Sequence, residues 1–260
     1  MQSDHIVSST NYITPEKYIS GRIVEYDIQA ANINILKKYH KISDDYYQYL
    51  SLLPKEDREI DIGKLIRVDR SYFNTIQEGI KESKVLLVEK NNIKPEQIIR
   101  VANDAVYINN SIDLKYTEFD GVKFKQKSKY SVYLNLSNIY IFYSVLGNDN
   151  IDIDIKNIGR DKLIYHEKFI EFIANAIYIC ERVSVQDCLN FISDFYKDYI
   201  NLNLDKEYYR EFNSYSLYKL KYSDYYLSDI SNINDIDINY NLYLIRELWS
   251  IILSKYKFKR

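Results

Sequence analysis

The sequence predicts an α+β protein, in which an antiparallel sheet with packed helices is followed by a smaller all-α domain. In the first half, short β-branched runs such as Val24–Ile28 alternate with segments of helical spacing. From Leu163 onward the apolar residues follow helical spacing. Between these parts the composition shifts to Asn, Asp and Ile, which indicates a linker. We therefore place the domains at residues 1–146 and 160–260.

Composition limits the classes of protein to consider. The chain has 260 residues, of which 46% are hydrophobic and 28% charged, and these values exclude a disordered chain. The net charge of −2 excludes a global basic field, so any contact with nucleic acid would be local. No apolar run reaches bilayer length, and the polar start has no signal-peptide pattern. We expect a cytoplasmic protein without a membrane partner, located in the host cytoplasm if it is viral.

The first candidate site residue follows the first strand. The segment Arg22–Ile28 is a predicted strand, Asp27 lies at its end, and a helix is predicted at Ala30–Tyr39. Enzymes of metal-dependent phosphoryl transfer place carboxylates at such positions. Asp27 is equally explained as a helix N-cap. Ser43 is the predicted N-cap of a second helix, which ends before Pro54.

A long helix is predicted next, at about residues 62–91, after a charged connection at Lys55–Glu59. Its apolar residues follow helical spacing, whereas Lys64, Arg67 and Arg70 fall largely on another face. These three cations form either a solvated face or a surface for phosphate groups.

The second candidate site residue lies in a predicted β-hairpin, Ile98–Asn109. Asn103 and Asp104 interrupt its two apolar runs, so Asp104 is at the tip, where it would stand beside Asp27. Two such carboxylates suit Mg²⁺, which often uses one or two protein carboxylates together with substrate phosphates. As an Asn-Asp pair, these residues are also ordinary turn formers.

A lysine-rich strand follows from Val122. The two-residue period of a strand places four lysines on one face: Lys123, Lys125, Lys127 and Lys129. They either protect an edge strand from pairing or contact the phosphates of a nucleic acid.

The order of these features resembles motifs A, B and C of palm-domain nucleic acid polymerases of families A and B. Asp27-Ile-Gln-Ala-Ala-Asn32 is similar to motif A, and Arg70-Ser-Tyr-Phe-Asn74-Thr75 is loosely similar to motif B. Ala102-Asn103-Asp104-Ala105 keeps one aspartate of motif C. The resemblance covers about residues 22–110 and departs from the families in lacking a second motif C acidic residue and the Tyr-Gly of motif B. The whole chain also resembles phage-encoded proteins.

The resemblance implies a palm-like sheet and a metal-dependent nucleotidyltransferase, a phage polymerase or primase component. Asp27 and Asp104 would be catalytic ligands of Mg²⁺ or Mn²⁺, and nucleoside triphosphates and nucleic acid would be the partners. The implied nucleotide-binding residues are Asn32, Lys64, Arg67, Arg70 and Asn74. An alternative is an inactive palm-like subunit that binds or scaffolds protein partners in a viral replication or transcription assembly, so enzymatic activity stays open. A nuclease is a third possibility.

Overall fold

The computed structural model describes residues 2–111, 113–145, 151–158, 166–209 and 235–257. In these ranges the chain is a mixed α+β protein, as predicted, with an antiparallel sheet, packed helices and further helices at the C-terminal end. The helices are α1 Ser3–Val7, α2 Ala31–Lys38, α3 Asp44–Leu52, α4 Lys55–Val68, α5 Ser71–Lys90, α6 Glu167–Arg182, α7 Val185–Ile200 and α8 Asp235–Lys257. The strands are β1 Asn11–Ile13, β2 Tyr18–Ile28, β3 Ile98–Ala102, β4 Ala105–Asn109, β5 Glu118–Phe119, β6 Val122–Leu136, β7 Ile139–Val145 and β8 Ile151–Lys156.

The chain forms two compact units. The first comprises Met1–Pro15 and Gly21–Lys129, and the second comprises Glu16–Ser20 and Tyr130–Arg260. Strands β2 and β6 therefore contribute residues to both. Part of the predicted linker is strand β8, which pairs with β7, while residues 147–150 and 159 lie outside the described ranges.

In the first unit the strand order is β1–β3–β4–β2–β6, and β5 pairs with β6. The pairs β1–β3, β3–β4 and β2–β4 are antiparallel. Because successive side chains on a strand point to opposite faces, one residue of each neighbouring pair enters the core beneath the helices. The buried side chains from this sheet in that core are Val24, Tyr26, Ile28, Ile98, Val101, Val106, Ile108, Val122 and Phe124.

Helix α5 packs against α1 and α2 on the core side of this unit. The single long helix predicted from the sequence is wrong, because α4 ends at Val68 and α5 begins at Ser71. Asp69 has an extended backbone, with φ −141° and ψ 112°. Its carboxylate accepts hydrogen bonds from Ser71 N at 2.8 Å and Ser71 Oγ at 2.6 Å, so it replaces helical bonds at this point. The predicted N-cap Ser43 is confirmed, since its hydroxyl accepts from Tyr46 N at 3.2 Å.

The second unit combines the strand order β6–β7–β8 with helices α6, α7 and α8. Ser137 and Asn138 join β6 to β7 with φ of 52° and 68°, as a two-residue turn of type I′ requires. The predicted C-terminal helices are confirmed. Aromatic stacking contributes to their packing, with the rings of Phe172 and Phe195 centred 3.7 Å apart.

Within the described ranges, no helix has both the length and the apolar character needed to cross a membrane.

Candidate functional site

The two candidate aspartates meet at one edge of the sheet in the first unit. Asp27 lies near the end of β2 and pairs in register with Ala105, the first residue of β4. Asp104 immediately precedes that residue, in the two-residue turn between β3 and β4. Ile28 N donates a hydrogen bond to the backbone oxygen of Asp104 at 3.3 Å. The predicted hairpin is confirmed, and its tip brings Asp104 beside Asp27.

Both aspartates line a cavity of about 620 Å³. Its lining residues come from the end of β2, the hairpin turn, strand β6, the starts of α2 and α4, and helix α5. Among the described residues, the lining consists of Asp27, Ile28, Gln29, Ala30, Ala31, Asn32, Lys55, Arg58, Glu59, Gln77, Ile80, Asn103, Asp104, Lys125 and Lys127. A cavity with three carboxylates, Asp27, Glu59 and Asp104, and four basic side chains is suited to a ligand with phosphate groups and an accompanying cation.

The pKa of Asp27 reflects its burial and the charged groups around it. Burial raises the pKa of Asp27 above its ordinary value, and the nearby Asp104 carboxylate raises it further, while Lys127 and Lys55 act in the opposite direction. Lys127 Nζ lies 3.6 Å from Asp27 Oδ2 and 3.3 Å from Glu25 Oε1. Burial would lower the pKa of Lys127, but the carboxylates of Glu25 and Asp27 more than compensate and raise it. The two site aspartates thus repel each other, and Lys127 partly neutralises Asp27.

Helix α4 supplies two cationic side chains from a segment that the sequence predicts to be a charged connection, Lys55–Glu59. Lys55 and Arg58 lie in the first turns of α4 and line the cavity. Neither forms an ion pair within the part of the chain that the structure describes. The signal for an earlier helix start was present in the sequence, because Pro54 is followed by the acidic residues Glu56 and Asp57.

Of the residues predicted to bind a nucleotide, Asn32 lines the cavity, where its Nδ2 donates to Glu59 Oε2 at 2.7 Å. Four others are not among the lining residues: Lys64, Arg67, Arg70 and Asn74. Lys64 pairs with Asp61 at 2.7 Å within α4, and the Arg70 guanidinium lies 4.3 Å from the Phe73 ring centroid. The structure therefore does not bring these four to the aspartates, because the cavity faces the beginning of α4.

The four predicted strand lysines are on β6, where Val122 before Lys123 and Phe124 after it lie in the core. All four are exposed: Lys123, Lys125, Lys127 and Lys129. Only two of them, Lys125 and Lys127, line the cavity. The predicted alternation is confirmed, but the lysines have different surroundings.

A buried lysine beneath the hairpin escaped sequence reasoning. Lys84 on α5 is 1% exposed, and its Nζ donates to the backbone oxygens of Ser9 and Asn103, both at 2.8 Å. Burial lowers the pKa of Lys84 to about 8, and the Asp104 carboxylate acts in the opposite direction. The sequence did contain a signal, because Lys84 falls on the apolar face of α5 between Ile80 and Leu87.

The donor set limits the kind of metal site that is available. Among the described residues, no group of three or more His, Cys, Asp and Glu side chains could hold a metal ion. Asp27 and Asp104 form a pair of hard oxygen donors facing one cavity. This pair fits Mg²⁺ or Mn²⁺ bound together with substrate phosphates and water, and it does not fit an all-protein metal cage.

Fold and site together define an α+β protein with an aspartate pair and a basic rim at one sheet edge. A family model described as "Bacteriophage PBS1 gene 130 protein" matches residues 3–254. The chain therefore belongs to this bacteriophage family. No curated protein matches it.

Proposed function

We propose that this phage-family protein is a metal-dependent nucleotidyltransferase that acts on nucleic acid. The observation that carries the proposal is the pairing of Asp27 with Asp104 in a cavity that also contains four basic side chains. Two carboxylates that repel each other favour a divalent cation between them, since the cation removes the repulsion. Asp27 and Asp104 would hold Mg²⁺ or Mn²⁺.

The other polar lining residues would bind different parts of the nucleotide. Lys55, Arg58 and Lys125 would contact the phosphates of a nucleoside triphosphate, as point charges or through the planar guanidinium. This assignment replaces the earlier one to Lys64 and the residues that follow it. Asn32, at the start of α2, would contact the sugar or base. The metal would supply charge stabilisation for the phosphate oxygens as they react.

Lys127 would act as an exchangeable counterion. Without a metal its ammonium neutralises Asp27 and the buried Glu25. A divalent cation at Asp27 would weaken that attraction, so the Lys127 ammonium would turn from Asp27 towards ligand phosphate. The side chain of Lys127 is 57% exposed and has the freedom for this movement.

A second candidate function is a palm-like subunit that binds nucleic acid or protein partners in a viral assembly without catalysis. Two observations favour it. Among the described residues no group of three or more His, Cys, Asp and Glu side chains could hold a metal ion, and Lys127 already neutralises one of the two site aspartates. Both candidate functions would operate in the host cytoplasm.

The test is nucleotide incorporation. Purified protein is incubated with primed and unprimed DNA and RNA, labelled nucleoside triphosphates, and Mg²⁺ or Mn²⁺. We expect metal-dependent incorporation by wild type and a loss of at least about a hundredfold in Asp27→Asn and Asp104→Asn. Asp57→Asn is the matched control, because Asp57 is an exposed carboxylate on α4 that does not line the cavity. Lys125→Ala should raise KM for the nucleotide, whereas Lys123→Ala should leave it unchanged.

Three other outcomes would each lead to a different conclusion about function. Incorporation that survives Asp27→Asn contradicts the assignment of the site. Retention of nucleic acid without incorporation under either metal selects the binding subunit. Degradation of labelled nucleic acid without added nucleotides indicates a nuclease that uses the same aspartates.

A further inference from the structure

The hairpin that carries Asp104 is fixed by backbone contacts from three directions. Asn103 N donates to Thr10 O at 2.8 Å, from the segment before β1. Ile28 N donates to Asp104 O at 3.3 Å, from β2. The third contact comes from Lys84 on α5, whose Nζ donates to Asn103 O at 2.8 Å. Both residues of the turn are thus held through their backbone, which leaves the Asp104 side chain directed by the turn itself.

The conformation of the turn requires such support. Asn103 has φ 51°, in the left-handed region, which asparagine tolerates better than most residues. In this conformation the Asn103 carbonyl oxygen accepts a hydrogen bond from Lys84 Nζ at 2.8 Å. Lys84 satisfies that carbonyl and also the carbonyl of Ser9, at 2.8 Å. The Lys84 ammonium therefore links the turn to the N-terminal segment through two hydrogen bonds.

Core packing does not account for a lysine at this position. Lysine is among the residues least often buried, because removing the ammonium from water is costly. An apolar side chain would fill the position on α5 without that cost, but it would remove the donor from the carbonyl oxygens of Ser9 and Asn103. The contacts of Lys84 are with backbone atoms next to the site, and its side chain does not line the cavity. Lys84 therefore contacts the backbone of the hairpin turn without reaching the cavity.

We propose that Lys84 is a positioning residue, which holds the hairpin tip so that the Asp104 carboxylate stands beside Asp27. It acts through Asn103 and touches neither metal nor substrate. The proposal deepens the proposed function, and its relevance to metal binding rests on that function. The positioning itself is a property of the metal-free protein and can be measured separately.

The first measurement is amide hydrogen exchange, followed by mass spectrometry on the metal-free full chain. In Lys84→Met we expect peptides that cover Ile98–Asn109 and Ser9–Ile13 to exchange about tenfold faster than in wild type. A reference peptide that covers Tyr140–Val145 should be unchanged. Lys84→Gln keeps two N–H donors on a shorter side chain and should show a smaller effect. Lys81→Met is the matched control, because Lys81 is exposed on the same helix.

The second measurement is Mn²⁺ affinity, from the loss of the electron paramagnetic resonance signal of free Mn²⁺. We expect Lys84→Met to weaken binding about tenfold although both aspartates are intact, as losses of supporting residues behind metal ligands do. Lys81→Met should bind Mn²⁺ as wild type does.

The outcomes separate the two proposals. Equal acceleration of all peptides in Lys84→Met, or no acceleration at the hairpin, overturns the positioning role and leaves Lys84 with a general part in stability. Faster exchange confined to the hairpin and Ser9–Ile13 supports the role, even when wild type binds no Mn²⁺. A wild type that binds no Mn²⁺ would count against the proposed function alone. If Lys84→Met does not fold, the same criteria apply to Lys84→Gln.

Discussion

Near Asp27 the two faces of the sheet in the first unit carry opposite kinds of side chain, although Ile23 and Tyr107 are buried on the face that carries Asp27. Val24 and Val106 point into the core beneath the helices and are both 0% exposed. On the other face, Glu25 and Asp27 of β2 form ion pairs with Lys127 of β6. Residues one position apart thus belong to different environments, since the strand alternates.

This difference separates stability from function in the same short strands. The helix-covered face gains free energy from apolar burial, about 1.5–3 kcal/mol for each large side chain. The other face brings like charges together and raises the pKa of Asp27, which costs stability. Substitutions in the helix-covered core should therefore change folding, and those in the charged cluster around Asp27 should change binding.

The largest expected effect is on the helix-covered face. Val106→Asp would bury a carboxylate without a partner, and we expect a loss of more than about 4 kcal/mol in the free energy of unfolding. Lys125→Asp places the same side chain on an exposed position of the other face and should leave the melting temperature within a few degrees of wild type. Circular dichroism melting curves measure both. Equal loss in the two variants would break the comparison.

A smaller effect is expected within the helix layer. A Cβ at Gly79 on α5 would overlap the side chain of Ile35 on α2 and lie 3.0 Å from the Tyr39 ring. Gly79→Ala should therefore destabilise the protein by about 1–3 kcal/mol, despite the higher helix propensity of alanine. Gly63→Ala on α4 meets no atom within 4 Å and should stabilise by about 0.5–1 kcal/mol. Urea unfolding measures the two changes, and stabilisation by Gly79→Ala would contradict the close packing of α2 and α5.

The smallest effect is the pH dependence that Asp27 contributes. Because the folded state raises the pKa of Asp27, it binds this proton more tightly than the unfolded state does. Stability should therefore fall as pH rises from the ordinary aspartate pKa to the raised one. Asp27→Asn removes this fall, so at neutral pH it should be more stable than wild type by up to about 1 kcal/mol, a small value because solvent screens the partly exposed site.

Urea unfolding at several pH values between 4 and 7 measures this difference. Asp57→Asn should follow wild type throughout. If Asp27→Asn is less stable than wild type at neutral pH, the carboxylate is a net stabilising group, and the contrast between the two faces loses its electrostatic basis.

Local sequence patterns predicted much of this fold, because their causes are local. The hairpin around Asn103–Asp104 follows from two apolar runs separated by turn residues. The alternation along β6 follows from the period of a strand, and the cap at Ser43 follows from the hydrogen bond of a hydroxyl to a nearby amide. The break between α4 and α5 was missed, because the side chain of Asp69 competes with helical hydrogen bonds that the apolar spacing alone predicts.

The candidate site was predicted in part for the same reason. Asp27 and Asp104 could be identified because each lies at the end of a recognisable strand, but their cationic neighbours could not. Lys55 and Arg58 reach the cavity because α4 begins at Lys55 and directs its first turns there. Lys84 depends on a contact with Asn103, 19 positions away, which no periodicity encodes.

The sequence by itself determined most of the strands and helices, and which side chains share a face, since these depend on residues within a few positions of each other. Tertiary structure decided which charges meet: Lys127 with Glu25 and Asp27, and Lys84 with the hairpin turn. The physical reason is that ion pairs and hydrogen bonds act over a few ångströms in space, and only the packing of distant segments brings their partners within that range.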